Sequence, residues 1–242
     1  MKLHCFATII YLFIIAIQFF NSTPVEKTDL ESIDKFGRFL KNISHRIIET
    51  IIVIDIKSGN IEMEANYEAS LDCIEFVVAH IFKSIPSKEK FIRIGLIQDN
   101  IRSNNSRQME ISGINNYTQF MKYFCKIRKE ALAQKNRSDG DLRNAMEEAL
   151  IAFGNRDTYK ILIIFSDRER WNDPLLLQKA QKLGERNLNT FVFVGNPDIN
   201  RTEIAAFPST QNMIFNNFDS LYNTFFSIFK TDSDLLHNNT CL

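Results

Sequence analysis

Glycine is scarce in this chain, eight in 242 residues, and none of the eight builds a GxGxxG or GxxxxGKS/T run. The loops that cradle nucleotide phosphates are therefore missing, and no nucleotide binding is expected. Neither sign of charge is in surplus, since Lys+Arg and Asp+Glu both number 29. That balance removes the general basic footprint that nucleic acid or an anionic membrane would require, so no nucleic acid partner is expected. Cysteine is limited to four residues, too few to staple a chain of this length, and none forms the CxxC pairs of a structural zinc site. His45, His80 and His237 have no Cys or His at ligand spacing and read as ordinary surface or helix residues. Internal repeats and low-complexity tracts do not occur. The remaining composition, 45% hydrophobic and 12% aromatic, excludes a disordered or collagen-like chain and assigns most of the stabilisation to a packed core.

Only one long apolar run occurs, and it lies at the start. Residues 5–20 form an uncharged stretch of 16 behind Lys2 and before the polar Asn21-Ser22-Thr23-Pro24. A membrane-spanning helix needs roughly 20 apolar residues, so residues 1–22 read as a secretory signal peptide, with a retained anchor as the alternative. Cleavage near Ser22 removes Lys2 and Cys5, leaving 28 basic against 29 acidic residues and three cysteines, Cys73, Cys125 and Cys241. Asn-x-Ser/Thr triplets at Asn21, Asn42, Asn104, Asn116, Asn136, Asn200 and Asn238 agree with a secreted, extracellular glycoprotein.

Beyond residue 22 the hydrophobic period switches repeatedly. Residues 28–44 carry Leu30, Ile33, Phe36, Phe39, Leu40 and Ile43 at three- and four-residue spacing, which predicts an amphipathic helix. Residues 47–54 are a nearly continuous β-branched run, apolar on both faces, as a buried parallel strand requires. Helices are then predicted over 66–85, 117–133, 142–153, 174–186, 203–207 and 218–229, and strands over 91–97, 108–111, 159–165, 190–194 and 213–215. Ser138-Asp139-Gly140-Asp141 supplies N-cap residues for the helix at 142, and Pro174 sits in the first turn of its helix.

Strands alternating with helices define an α/β fold with a doubly wound, mostly parallel central sheet flanked by helices. We divide the chain into the signal peptide, an N-terminal helical segment at 23–46, one domain at 47–230 and a polar tail at 231–242 that is expected to be loose. The N-terminal helix either packs on the domain or mediates self-association, and packing is the simpler reading. In such sheets a ligand binds beyond the carboxyl ends of the strands, at the topological switch point. The loops to interrogate are 55–60, 167–171 and 195–198.

Those loops carry a family resemblance. The run 51–60, Ile-Ile-Val-Ile-Asp-Ile-Lys-Ser-Gly-Asn, resembles the first strand and Asp-x-Ser-x-Ser loop of a von Willebrand factor type A domain. Residues 93–98, the turn 138–145, the strand 161–169 with Ser166-Asp167-Arg168 and the passage 183–195 are similar to later parts of the same family, in the same order. The resemblance implies a vWA, Rossmann-like fold and a metal-ion-dependent adhesion site that typically holds Mg²⁺, an ion that wants oxygen ligands in a near-ideal octahedron. Carried over position by position, Asp55, Ser138 and Asp167 match the family's ligands, whereas Lys57 and Gly59 stand where it has serines.

An ammonium beside two acids competes with a divalent ion. Unit charges about 4 Å apart interact by roughly 4 kcal/mol at an effective dielectric near 20, so we expect a degenerate site with Lys57 bridged to Asp55 or Asp167 and no resident cofactor. A register shifted by one residue would instead offer Ser58 and Asn60 as Mg²⁺ ligands. The sequon at Asn136 lies two residues before Ser138, and a glycan there would crowd the same face.

The resemblance therefore implies a non-enzymatic module for cell adhesion or the extracellular matrix that binds another protein. Its contact candidates are Ser58, Asn60, Asp141, Arg168 and Trp171, the last as an aromatic anchor on the rim or as cover for the sheet edge. A secreted hydrolase that uses Asp55 and Asp167 as a carboxylate pair is the alternative of another class, though no nucleophile motif accompanies the acids. Cys73 and Cys125 fall within helices, as buried thiols or as a bridge, and spacing does not choose. The bridge that joins the two ends in some family members is absent once Cys5 leaves. Cys241 is then expected to take an intermolecular partner or to remain a free thiol.

Overall fold

The structure is a computed structural model, and it describes residues 27–43, 47–56, 61–84, 92–98, 117–133, 141–155, 157–185, 188–209, 211–215, 217–229 and 241. Strand β1, Ile48–Asp55, is buried along its whole length. Its β-branched run gains that burial by pairing in parallel on both edges, with β2 (Ile92–Gln98) on one side and β3 (Tyr159–Ser166) on the other. Strands β4 (Asn189–Gly195) and β5 (Gln211–Phe215) extend the sheet beyond β3, giving the order β2-β1-β3-β4-β5 with every pair parallel. The chain passes from β1 to β2 on one side and then crosses back past β1 to β3 on the other. The switch point therefore lies at the carboxyl ends of β1 and β3.

Alternation along the strands divides the interior into two layers. Ile48, Ile52 and Ile54 of β1, Ile161, Ile163 and Phe165 of β3, and Phe191 and Phe193 of β4 face one core. Covering them are α1 (Lys27–Asn42), α2 (Ile61–Ser84), α3 (Tyr117–Leu132) and α7 (Phe218–Phe229). Ile51 and Val53, Leu162 and Ile164, and Val192 and Val194 face the other core, under α4 (Leu142–Phe153), α5 (Pro174–Glu185) and α6 (Arg201–Ala206). None of the described helices is long and apolar enough to cross a membrane.

Helix α1 packs into this core. Ile33, Phe36, Leu40 and Ile43, spaced by three and four residues, are buried in the first layer. Phe36 meets Phe191 at 4.9 Å and Phe193 at 5.9 Å between ring centroids, and Phe39 meets Phe191 at 4.8 Å. The segment predicted at 23–46 thus shares its described part with the domain core, and its apolar stripe is spent there.

Helix α2 begins five residues earlier than its periodicity predicts, because Ile61-Glu62-Met63-Glu64 alternates with a period of two. Asn66, the first residue of the predicted range, works inside the helix. Its Nδ2 donates to the Gly195 carbonyl at 3.3 Å and its Oδ1 accepts from the Phe218 N–H at 3.0 Å. One side chain so joins the end of β4 to the start of α7. Gly195 permits the approach, since a Cβ there would lie 2.6 Å from the Phe218 ring. The predicted signal peptide, the strand predicted at 108–111 and most of the tail lie outside the described residues.

Cys125 of α3 and Cys241 form a disulfide across a sequence separation of 116 residues. This overturns the expectation of an intermolecular partner or a free thiol at Cys241, and it tethers a tail position that was expected to be loose. One cysteine of the three beyond residue 22 is left over, and parity does not identify which. Among the described residues it is Cys73, buried in α2 with its thiol donating to the Phe218 carbonyl at 3.3 Å. Burial pushes that thiol well above its ordinary value, with Asp72 and Asp219 adding to the effect, so little reactive thiolate forms.

Glu75 of α2 is the costly residue of the first layer. It is 6% exposed, and its Oε1 has no hydrogen-bond partner among the described residues. Nearby, Arg128 of α3 is already paired with Asp72 and, at 3.6 Å, with Glu68. Burial raises the Glu75 carboxyl from 4.5 to about 7 against the opposing charge of Arg128. The native state therefore holds this proton more tightly than the unfolded chain does. The associated stability is whole below about pH 4.5 and is lost as the pH rises to about 7. Urea titrations should show a fall on the order of 2–3 kcal/mol across that window, and Glu75→Gln should flatten it. On a non-reducing gel the protein should run as a monomer, faster than its reduced form, and Cys241→Ser should cost about 2–4 kcal/mol in the same titrations.

Candidate ligand-binding face

The parallel register places Asp55, the last residue of β1, beside Ser166, the last residue of β3. Asp55 is a nearly buried carboxylate with 8% side-chain exposure, and such a charge requires compensation. The Ser166 hydroxyl donates to Asp55 Oδ2 at 2.8 Å. Arg168 then grips both oxygens, Nε to Oδ2 at 3.1 Å and Nη2 to Oδ1 at 3.3 Å, the two-pronged geometry that a guanidinium offers a carboxylate. The loop is folded for this contact by its own backbone. Asp167 N–H donates to the Asp55 carbonyl at 3.3 Å, and Arg168 N–H donates to Ser166 Oγ at 3.1 Å. Burial opposes the charge on Arg168, but Asp55, aided by Asp141 and Asp173, outweighs it and holds the guanidinium above its ordinary value.

A second arginine closes the neighbouring loops. Asp141 caps α4, its Oδ1 accepting from the Arg143 N–H at 3.0 Å, as the polar turn predicts. The Arg143 side chain returns to the same carboxylate at 2.8 and 2.9 Å and reaches Asp173 at 3.5 Å. Asp173 in turn accepts from Leu175 N–H at 2.9 Å and Leu176 N–H at 3.2 Å, capping α5. Hydrogen bonding to Arg143 holds the Asp141 carboxyl below its ordinary range against partial burial, and the charges of Arg143 and Arg168 add to this. Two arginines and three aspartates thus alternate across four loop ends.

The structure chooses between the two readings of Trp171. It is fully buried rather than an anchor on the rim. Its ring meets Phe207 edge-on at 4.9 Å, its Nε1 donates to the Arg168 carbonyl at 3.0 Å, and its backbone N–H donates to Glu203 Oε2 at 2.8 Å. The indole joins the second core layer and supports the loop through its bond to the Arg168 carbonyl. Asp167 is also nearly buried, 8% exposed, and its carbonyl accepts from Asn196 Nδ2 at 2.6 Å.

Lys57, Ser58, Gly59, Asn60 and Ser138 lie outside the described residues, so the expected bridge from Lys57 does too. Among the described residues the cation on Asp55 is Arg168. Its pairing with Asp55, together with the roles of Ser166, Arg143 and Asp173, escaped the sequence reading. The available signal was an arginine directly after the second acid, but its meaning depended on β1 and β3 being neighbours. Of the sequons, Asn42 is exposed at the end of α1, and Asn200 is exposed while capping α6 through bonds from Thr202 and Glu203 N–H. Asn21, Asn104, Asn116, Asn136 and Asn238 fall outside the description.

A divalent ion at Asp55 would need oxygen lone pairs that now face a guanidinium. As arranged, Asp55 offers such an ion no free oxygen, since both are taken by Arg168 and one also by Ser166. Ser166, the hydroxyl nearest the acids, is fully buried, donates to Asp55 and accepts from the Arg168 N–H.

No protein-family model and no curated protein matches the sequence. Solved structures do resemble it. Proximal thread matrix protein 1 from the mussel byssus superposes with a TM-score of 0.55 at 16% identity, over 76% of this chain and 47% of that one, and another structure of it has a zinc-occupied MIDAS motif. The pilus adhesin SpaC from Lactobacillus rhamnosus GG gives 0.50 at 10% identity over 76% and 30% of the two chains. The human COPII-coat protein Sec24c gives 0.50 at 11% over 77% and 32%. This chain spans about half the length of the mussel protein and about a third of the other two. The fold is a vWA-like α/β fold.

The burial of Trp171 is open to a direct check, because it is the sole tryptophan. Native emission should be blue-shifted and shielded from iodide, and should move to the red on unfolding. Trp171→Ala should lower unfolding stability by about 3–5 kcal/mol.

Proposed function

We propose that this chain is a secreted, glycosylated vWA-like module that binds an extracellular or matrix protein through the carboxyl-end face of its sheet, without catalysis and without a divalent metal. The observation that carries the reading is the Asp55 carboxylate, which spends both oxygens on Arg168. Among the described residues this leaves Asp55 no oxygen open to a metal that could bridge to a partner's carboxylate, so recognition falls to the exposed surface of the loops, where Glu169, Arg170 and Asn172 stand clear of the core. Arginine is a common anchor of protein interfaces. A degenerate MIDAS is the economical description of this arrangement.

Several observations support the rest. The even charge balance disfavours nucleic acid as a partner, and the buried, fully engaged Ser166 offers no nucleophile to a substrate. A byssal thread matrix protein and a pilus adhesin share the fold, which agrees with a matrix or adhesion role; a coat protein shares it as well, so the site rather than the fold carries the proposal. The apolar run at residues 5–20 and the sequons support secretion.

Affinity capture from extracellular material, with and without chelator, tests the reading. The secreted chain should retain the same partner in EDTA, and Arg170→Glu should weaken retention about tenfold or more. Retention that vanishes in EDTA and returns with Mg²⁺ would favour the shifted register through Ser58 and Asn60 instead.

A further inference from the structure

Asp55 ends a strand that is paired on both edges and covered on both faces, so its charge has to be met in the loops beyond the sheet. A guanidinium meets it there from a loop that is itself built to deliver it. The Ser166 hydroxyl orients the Arg168 N–H, the Asp167 N–H extends the β1–β3 ladder by one bond, and the Trp171 indole holds the Arg168 carbonyl from beneath. Arg143 does the equivalent between Asp141 and Asp173. Together the two arginines bring a charge of plus two to a face lined by aspartates, as one divalent ion would, but covalently attached.

We propose that Arg168 is the resident, tethered cation of this face, holding the ends of β1 and β3 together, and that it is the group that keeps divalent metals out. The inference rests on the reading of this face as degenerate, and it extends that reading to a single residue. Removing the guanidinium leaves a nearly buried carboxylate beside a serine hydroxyl, oxygen donors of the kind that Mg²⁺ and Mn²⁺ accept. The excluded ion then becomes the natural compensation.

Thermal unfolding of the full secreted chain with Mg²⁺, Mn²⁺ or EDTA tests this without any partner, so failure of partner capture and failure of this proposal remain separate results. The wild-type midpoint should be the same in all three. Arg168→Ala should lower the midpoint by about 6 °C or more, and millimolar Mn²⁺ should restore at least half of the loss, reversibly with EDTA. Asp55→Asn combined with Arg168→Ala should abolish the metal response, and Lys57→Ala alone should remain unresponsive. A folded Arg168→Ala protein that ignores metal would overturn the proposal, as would a Lys57→Ala protein that gains a metal response. Should Arg168→Ala fail to fold, calorimetric titration of the wild type still decides: saturable Mn²⁺ binding that is lost in Asp55→Asn would sink the idea, and its absence, with Arg168→Lys lowering the midpoint, would sustain it.

Discussion

A strand buried on both faces and paired on both edges can end in an acid only if something neutralises that acid at once, because neither core layer offers water or a counter-charge. Strand β1 ends this way, and the arrangement at the carboxyl end of the sheet follows from the need. The β1–β3 register brings Ser166 to Asp55, the next amide continues the ladder, and the turn delivers Arg168 to both carboxylate oxygens. Trp171 and Glu203 then fix the rest of the loop to the second core layer. Electrostatics at the surface and packing in the interior are thereby one structure, joined through the Arg168 carbonyl.

The two layers differ in how they are filled. The first is aromatic: Phe36, Phe39, Phe165, Phe191, Phe193, Phe218 and Phe225 meet in a chain of edge-on, tilted and stacked contacts. That explains why α1 joins the domain, since without it the rings of β4 would be left facing water. The second layer is mainly aliphatic, with Phe153, Trp171 and Phe207 among its aromatic members. The disulfide reinforces the aromatic side by returning a residue from the far end of the chain to α3.

Much of this architecture was legible in the residues. The β-branched runs at 47–54 and 159–165 could be buried only as interior strands of a parallel sheet, and helices α4 and α7 have the boundaries that their periodicity and flanking residues predict. The start of α2 was not legible, because its first turn alternates like a strand, and Asn66 acts inside the helix as a tertiary bridge. At the site, Asp55, Asp141 and Arg168 were identifiable as residues at strand and helix ends. Their pairing was not, since Asp55 and Arg168 are 113 positions apart and become neighbours only through strand order.

Sequence alone determined the period of each segment, and with it the alternation of strands and helices, the doubly wound sheet and the end of that sheet where its loops gather. It did so because hydrophobic periodicity is a local property, set by how a single element exposes its faces. Tertiary structure decided which charge answers Asp55, whether Trp171 faces a partner or the core, and which cysteine finds Cys241. These outcomes depend on distances between residues remote along the chain, and such distances exist only once the strands have taken their order.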